Sequence, residues 1–419
     1  MATVSEFLAA RAGLLRGYGS ALSGSVGRLV FSLAYFILLA NTLSIADFGI
    51  FATASATGVV LSRLLAFGFV SPLYRAATVK SRLIGVYAAG FIALGIVSLP
   101  LIAIVGFLVH QAVFAGDIGL AAFSLIMLSE VVLWRLTEAV IIVNNGMGRF
   151  GRAAILVILG TAFRAAAALA FAYAAARAVD QWAIYYLAAN AVSLLTGIAF
   201  FYPGQRLRLK PALYGRRLID SVAVSGAEVL FYLQMELDKL LVLAIGGPQI
   251  AGIYAIIMRL VDLTAIPIRV FTMMLMQAMM RSPDLLRRAW LKSGLEAGIF
   301  SVSVAALLTL AGILHIYPGL LGSNVAEAAP IIGFALLVPA FRNLVEYQAE
   351  LLYARGQTVL RAINLALLAG AKAVLLVGLL SVVSGPIPLL TWLNAVFAVL
   401  YVISALLTYS ALKRPAQPV

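Results

Sequence analysis

This sequence predicts an all-α polytopic membrane protein, with about twelve transmembrane helices in two parallel six-helix pseudo-repeats around a central cavity. Three observations predict it. Of 419 residues, 63% are hydrophobic and only 11% charged, with a mean hydropathy of +1.06, far outside the soluble range. The apolar residues fall in runs of about 20, the length that crosses a bilayer core. Basic residues alternate between successive loops, which a wrong helix count would scramble.

Breaks marked by charge, Gly or Pro bound each span. The first, 19-40, lies between Arg16 and Asn41, and the second, 48-70, between Asp47 and the Arg75, Lys80, Arg82 loop. Spans 84-109 and 118-143 flank His110 and end before Arg149 and Arg152. Spans 153-176 and 182-201 flank Arg177 and end at a basic stretch, and spans 219-245 and 250-279 flank Gly247. Spans 294-314 and 325-353 lie between Lys292 and Arg355 around His315, and spans 360-382 and 386-410 flank Gly385 and end before Lys413.

One set of loops then carries twenty Lys and Arg, and the opposite set carries Arg177 alone. That asymmetry predicts cytoplasmic termini. The net charge of +14 is mostly this orientation signal, so no nucleic-acid partner is expected. No cleavable signal peptide is evident, and residues 1-18 read as an interfacial segment or a frayed tail. With no Cys and two His, disulfides, thiolate metal sites and His-based catalysis are not expected, and neither is an enzyme.

An internal repeat divides the chain. Ala21-Leu22-Ser23-Gly24 recurs as Ala223-Val224-Ser225-Gly226, and Gly49-Ile50-Phe51-Ala52 recurs as Gly252-Ile253-Tyr254-Ala255. The expected domains are a bundle at 19-201, a basic cytoplasmic linker at 202-217, and a second bundle with a short tail at 218-419. Six is an even number, so the repeats enter from the same side, which is a transporter arrangement.

Nine cations fall inside the spans: Arg28, Arg63, Arg135, Arg164, Lys239, Arg259, Arg269, Arg342 and Lys372. A cation at the centre of a membrane helix costs about 2.5 to 3.5 kcal/mol on insertion scales, so these must face acids, protein or water. Nine acids are there to meet them: Glu130, Glu138, Glu228, Glu236, Asp238, Asp262, Glu296, Glu346 and Glu350. Arg135 with Glu138 and Arg342 with Glu346 have the spacing of pairs within one helix. Arg28 and Arg63 have no acid within four residues on their own helices and need a partner from elsewhere.

Helical phase gathers several of these groups into stripes. Ser221, Ser225, Glu228, Tyr232, Glu236 and Lys239 fall within roughly 80° of one another on the seventh helix, as do Ser20, Gly24, Gly27, Arg28 and Tyr35 on the first. Arg259, Asp262, Arg269 and Gln277 share a face of the eighth, where Pro267 predicts a kink. Arginine suits phosphate recognition, because its planar fork donates two parallel hydrogen bonds and it stays charged.

Two passages carry a resemblance. Leu38-Leu39-Ala40-Asn41-Thr42-Leu43-Ser44-Ile45-Ala46-Asp47-Phe48-Gly49-Ile50-Phe51, and Asp238-Lys239-Leu240-Leu241-Val242-Leu243 with Ala251-Gly252-Ile253-Tyr254 and Arg259-Leu260, resemble the polysaccharide-transport (Wzx-type) lipid-linked oligosaccharide flippases of the MOP exporter superfamily. The resemblance implies a bacterial inner-membrane protein that moves polyprenyl-diphosphate-linked oligosaccharide to the outer leaflet by alternating access, for O-antigen, exopolysaccharide or capsule synthesis. It implies membrane lipid and polysaccharide polymerase or export machinery as partners. Candidate substrate-binding residues are Arg28, Arg63, Lys239, Arg259, Arg269 and Arg342. Glu228, Glu236, Asp238 and Asp262 are candidate sites for H+ or Na+ coupling, or charge partners of these cations. No resident cofactor or metal is expected. The rival reading is an ion-coupled multidrug or small-molecule exporter of the same superfamily, which would need a net acidic cavity for organic cations.

Overall fold

The computed structural model describes residues 27-281 and 289-413. The expected interfacial segment 1-18, together with Ser20 and Gly24 of the first polar stripe, lies outside the described residues.

The chain is helical nearly throughout, as its composition requires. Helix α1 (Gly27–Thr42) turns into α2 (Ile45–Ser62) at Ser44, whose hydroxyl accepts the Asp47 N–H at 3.0 Å and so caps α2. A short α3 (Val70–Val79) follows a break, and α4 (Ile84–Val109) comes next. Helix α5 (120-146) passes through a π-helical stretch, Leu128–Trp134, before resuming at Arg135. Then come α6 (Phe150–Ala172) and α7 (Val179–Thr196).

Helices α8 (211-246) and α9 (248-281) are joined by one residue. Gly247 sits at φ 79° and ψ 171°, a conformation open essentially to glycine alone, and Pro248 presets the next helix. Helix α9 continues through Pro267. After α10 (Ala289–Ile316), α11 (323-335) and α12 (Val338–Ala354) form one span bent by 67°. Helices α13 (Thr358–Val382) and α14 (Pro386–Leu412) complete the set. With α11 and α12 counted together and α3 as an appendage of α2, the described residues hold twelve spans, each overlapping its predicted position.

Exposure runs opposite to that of a water-soluble bundle. Helix α4 leaves Ile96 and Val97 each 64% accessible, and α14 does the same with Leu406 at 68%. Side chains of that kind belong against lipid, because each would forfeit roughly 1.5 to 3 kcal/mol of burial in water.

Tertiary contacts divide the chain into two compact units, Phe31–Ala255 and Ile256–Val419, the latter with the residues up to Val30. In the first, Phe69, Leu73, Phe91 and Val143 form one core cluster. Tyr214 ties the start of α8 to it, donating to the Val86 carbonyl at 3.0 Å and accepting the Lys210 N–H at 2.9 Å. Fully buried Trp182 packs among Tyr35, Phe51, Phe171 and Tyr186, with ring centroids 5.3 to 6.1 Å away. In the second unit α12 packs between α10 and α14, around Ile299, Leu344 and Leu351.

The repeated Gly-Ile-aromatic-Ala motif turns out to be a contact. A Cβ on Gly49 would lie 2.4 Å from the Gly252 nitrogen, and one on Gly252 would lie 1.9 Å from the Ile45 carbonyl oxygen. The two copies therefore meet backbone to backbone, which only glycine permits. Both copies lie within the first unit.

Candidate functional site: arginine and carboxylate clusters within the spans

Helix α2 was expected to run unbroken to residue 70, but it ends at Ser62. Ala66 (φ 55°), Phe67 (φ 50°) and Gly68 (φ 72°) are three consecutive left-handed residues. Two of them carry side chains, at about 1 to 3 kcal/mol each, so surrounding structure must hold them there. It does. Ser98 accepts the Ala66 N–H at 3.0 Å, and Ser225 of α8 donates to the Arg63 carbonyl at 2.7 Å, replacing helical bonds lost at the break. A Cβ on Gly68 would lie 2.4 Å from the Ser221 carbonyl oxygen, so α8 presses directly on the turn.

This break presents Arg63 to α5 and α8. Its Nη1 donates to both Glu138 carboxylate oxygens, at 3.1 and 3.2 Å, and its guanidinium lies 4.1 Å from the centre of the Tyr232 ring. Arg135, 1% exposed, donates to Glu138 at 2.7 Å and to Glu228 at 2.9 Å. Two guanidiniums and two carboxylates thus form a chain across three helices with no net charge. The Nε–H groups of Arg63 and Arg135 are buried and have no hydrogen-bond partner among the described residues.

The second unit holds a cluster of the same composition. Arg269 of α9 grips Glu346 of α12 through Nε at 3.1 Å and Nη2 at 2.9 Å, the fork geometry guanidinium favours. Its Nη2 also reaches Asp262 at 3.2 Å, and Arg342 reaches the same Asp262 oxygen at 3.3 Å. The Arg269 side chain remains 39% accessible, whereas that of Arg342 is 9% accessible.

The other candidates are distributed differently. Lys239 pairs with Glu236 one turn away, and Asp238 accepts a hydrogen bond from the Tyr254 hydroxyl. Arg28 is exposed on α1 and Arg259 is half-buried on α9. The side chain of Gln277 lies outside the described residues. Thus Glu228 and Asp262, named as candidate coupling sites, each contact an arginine. Arg63 finds its partner 75 residues away in sequence, at Glu138.

Two acids that helical phase did not single out are held by neutral groups. Glu130, 3% exposed in the π-helical stretch, accepts from Ser55 at 2.6 Å and from the Tyr186 hydroxyl. Gly58 lets it approach, since a Cβ there would meet the Glu130 Cβ at 2.7 Å. Glu296 of α10 accepts from Gln348 at 2.9 Å, Tyr401 at 3.0 Å and Tyr409 at 2.6 Å. A π-helical turn leaves no signature in sequence, so nothing in the spacing could have pointed Glu130 at Ser55.

With this geometry in hand, the chain can be compared with known proteins. No protein-family model matches the sequence, and none of the curated proteins is similar to it. Solved structures do match. The inward-closed lipid II flippase MurJ aligns with a TM-score of 0.65 at 12% identity, covering 95% of this chain and 87% of that one. An inward-facing multidrug-resistance MATE family transporter of the MOP superfamily aligns at 0.58 and 14% identity, covering 92% and 96%. A MOP superfamily transporter from Pyrococcus furiosus, described as having a binding pocket of reversed polarity, aligns at 0.53 and 15% identity, covering 96% of each chain. The protein has the fold of MOP-superfamily membrane transporters.

Proposed function

We propose that this protein is a flippase for polyprenyl-diphosphate-linked oligosaccharide, working by alternating access in a bacterial inner membrane, with its basic loops and both termini in the cytoplasm. The observation that carries this reading is Arg269, a cation well inside a span whose side chain is 39% accessible and held by exchangeable carboxylates. A cation so placed belongs in a wet cavity, where a phosphate can take the position of Glu346 or Asp262. Arg63 and Arg342 offer the same exchange from more buried positions, and Arg28, Lys239 and Arg259 are the further contacts this reading assigns to the headgroup.

Exchange also supplies a route to coupling. When phosphate displaces Asp262 from Arg269, the carboxylate keeps Arg342 and has one contact released for a coupling ion; Glu228 on Arg135 is the counterpart in the other unit. Glu236 and Asp238 are held by Lys239 and Tyr254 and contribute less directly. A polysaccharide polymerase is the partner class that would consume the flipped product.

The test is transport of a fluorescent polyprenyl-diphosphate glycolipid in proteoliposomes, wild type against Arg269→Ala at matched reconstitution. Loss of flipping is expected, and normal flipping would make Arg269 structural. The charge balance of both clusters favours a second reading, an ion-coupled exporter of organic cations, for which Glu346 and Asp262 would be the ligands. Accumulation of a lipophilic cation by the same vesicles, without glycolipid flipping, would select it.

A further inference from the structure

Every arginine in the two intramembrane clusters is balanced by acid, so unbalanced positive charge must be sought elsewhere. It collects in a cleft of about 290 Å³ within the first unit, formed by one face of α3, the start of α4 and the start of α8. Arg75 of α3, Lys80 directly after it and Arg217 of α8 line it. Among the described residues, neither Arg75 nor Lys80 has a carboxylate within ion-pair distance. The single acid of the cleft, Asp220, stands 3.9 Å from Arg217, at the limit of contact, with both side chains more than half accessible. Three cations against one carboxylate leave the cleft at +2.

The cleft is also built, not merely charged. Fully buried Ser221 lines it, and the Ser221 carbonyl oxygen in turn lies against the turn after α2, 2.4 Å from where a Cβ on Gly68 would stand. Ser71 also lines it. Its remaining wall is apolar, with Pro72, Ala76, Leu83 and Val224. Cations beside an apolar wall, at the basic side of the membrane, match an amphiphile whose anionic group sits at the interface while its tail enters the bilayer. The volume lies at the lower end of small-ligand sites, roughly 300 Å³ upward, which suits a headgroup fragment rather than a whole glycan.

We infer that this cleft is a recognition site for the diphosphate of the lipid-linked substrate, engaged at the basic side of the membrane before the headgroup enters the spans. The inference rests on the flippase reading for the ligand's identity, and on the cleft alone for its chemistry. Arg75 and Arg217 can each present a guanidinium fork to phosphate oxygens, and Lys80 adds a point charge. Through Ser221 it adjoins the strained turn at Ala66 and Phe67, three and four residues after Arg63, which puts the site within one helical break of the first arginine cluster.

The experiment is calorimetric titration of geranyl diphosphate into the full-length protein in nanodiscs of neutral lipid. All three cations are exposed, so their loss should leave the melting temperature unchanged, and that is checked first. Arg75→Ala with Lys80→Ala, and separately Arg217→Ala, should weaken binding at least tenfold. Arg149→Ala, an exposed arginine outside the cleft, should change it less than twofold. Inorganic pyrophosphate forms a second arm. Binding of both ligands through the same residues supports a diphosphate site, with the tighter of the two naming lipid-borne or free diphosphate as its source. Nanodiscs containing phosphatidylglycerol form the third arm, and abolition of diphosphate binding there would assign the cleft to bulk anionic lipid and overturn the inference. Wild-type affinity in the cleft variants, or no binding by wild type, overturns it too. Diphosphate binding lost in the variants, alongside a wild type that flips no glycolipid, would leave the cleft standing and sink the flippase reading.

Discussion

Glu138→Gln isolates the electrostatics of the first cluster. Glu138 accepts one bond from Arg135 at 2.7 Å and two from Arg63 at 3.1 and 3.2 Å. Neutralising it leaves two buried guanidiniums with Glu228 alone, an excess of one positive charge. Breaking a buried pair in this way costs about 3 to 5 kcal/mol, and the 23% accessibility of the Glu138 side chain argues for the lower end, about 3 kcal/mol. For a cooperative unit of the size of Phe31–Ala255 each kcal/mol is worth about 2 to 4 °C, so the melting temperature should fall by about 6 to 12 °C. Intrinsic fluorescence can follow this, because Trp134 and Trp182 lie in that unit.

The companion variant, Arg63→Met with Glu138→Gln, removes one charge of each sign and leaves the Arg135 and Glu228 pair intact. It should recover most of the loss, since an apolar side chain of similar volume replaces a buried ion pair at little net cost. Losses that simply add across the two single variants would refute the claim that these groups form one neutral network. The recovered double variant then serves a second purpose: loss of flipping in a protein of near-native stability would give Arg63 a transport role beyond its structural one.

Three further outcomes are expected. Gly252→Ala should abolish recovery of folded protein by size-exclusion chromatography, because its Cβ would stand 1.9 Å from the Ile45 oxygen, whereas Gly298→Ala, with nothing within 4 Å, should be recovered at wild-type yield. Tyr214→Phe should lower stability by about 1 to 3 kcal/mol in a thermal melt, since the Lys210 N–H loses its acceptor and the Val86 carbonyl loses the donor that ties α8 to α4. Asp262→Asn should leave glycolipid flipping insensitive to an imposed pH gradient in proteoliposomes that make the wild type respond; a variant that still responds would move coupling to another carboxylate.

Sequence alone was enough for the number of spans and their places, because bilayer thickness imposes a run length and lipid imposes a composition that no tertiary contact can override. It also disclosed the repeated Gly-Ile-aromatic-Ala motif and the spacing of Arg135 to Glu138, since both are short-range. What α2 does after Arg63 was not legible: its apolar run continues unbroken to Val70, and the left-handed turn exists because Ser98 and Ser225, far along the chain, receive the freed backbone groups. Charge pairing between helices was illegible for the same reason. Spacing relates Arg342 to Glu346, but it gave no sign that Glu346 takes the fork of Arg269 or that Arg342 reaches Asp262. Periodicity places a side chain on a face of its own helix; which neighbour that face meets, and so whether a buried cation is spent on structure or kept for a ligand, depends on contacts 75 or more residues apart in the chain, and only the packed helices decide it.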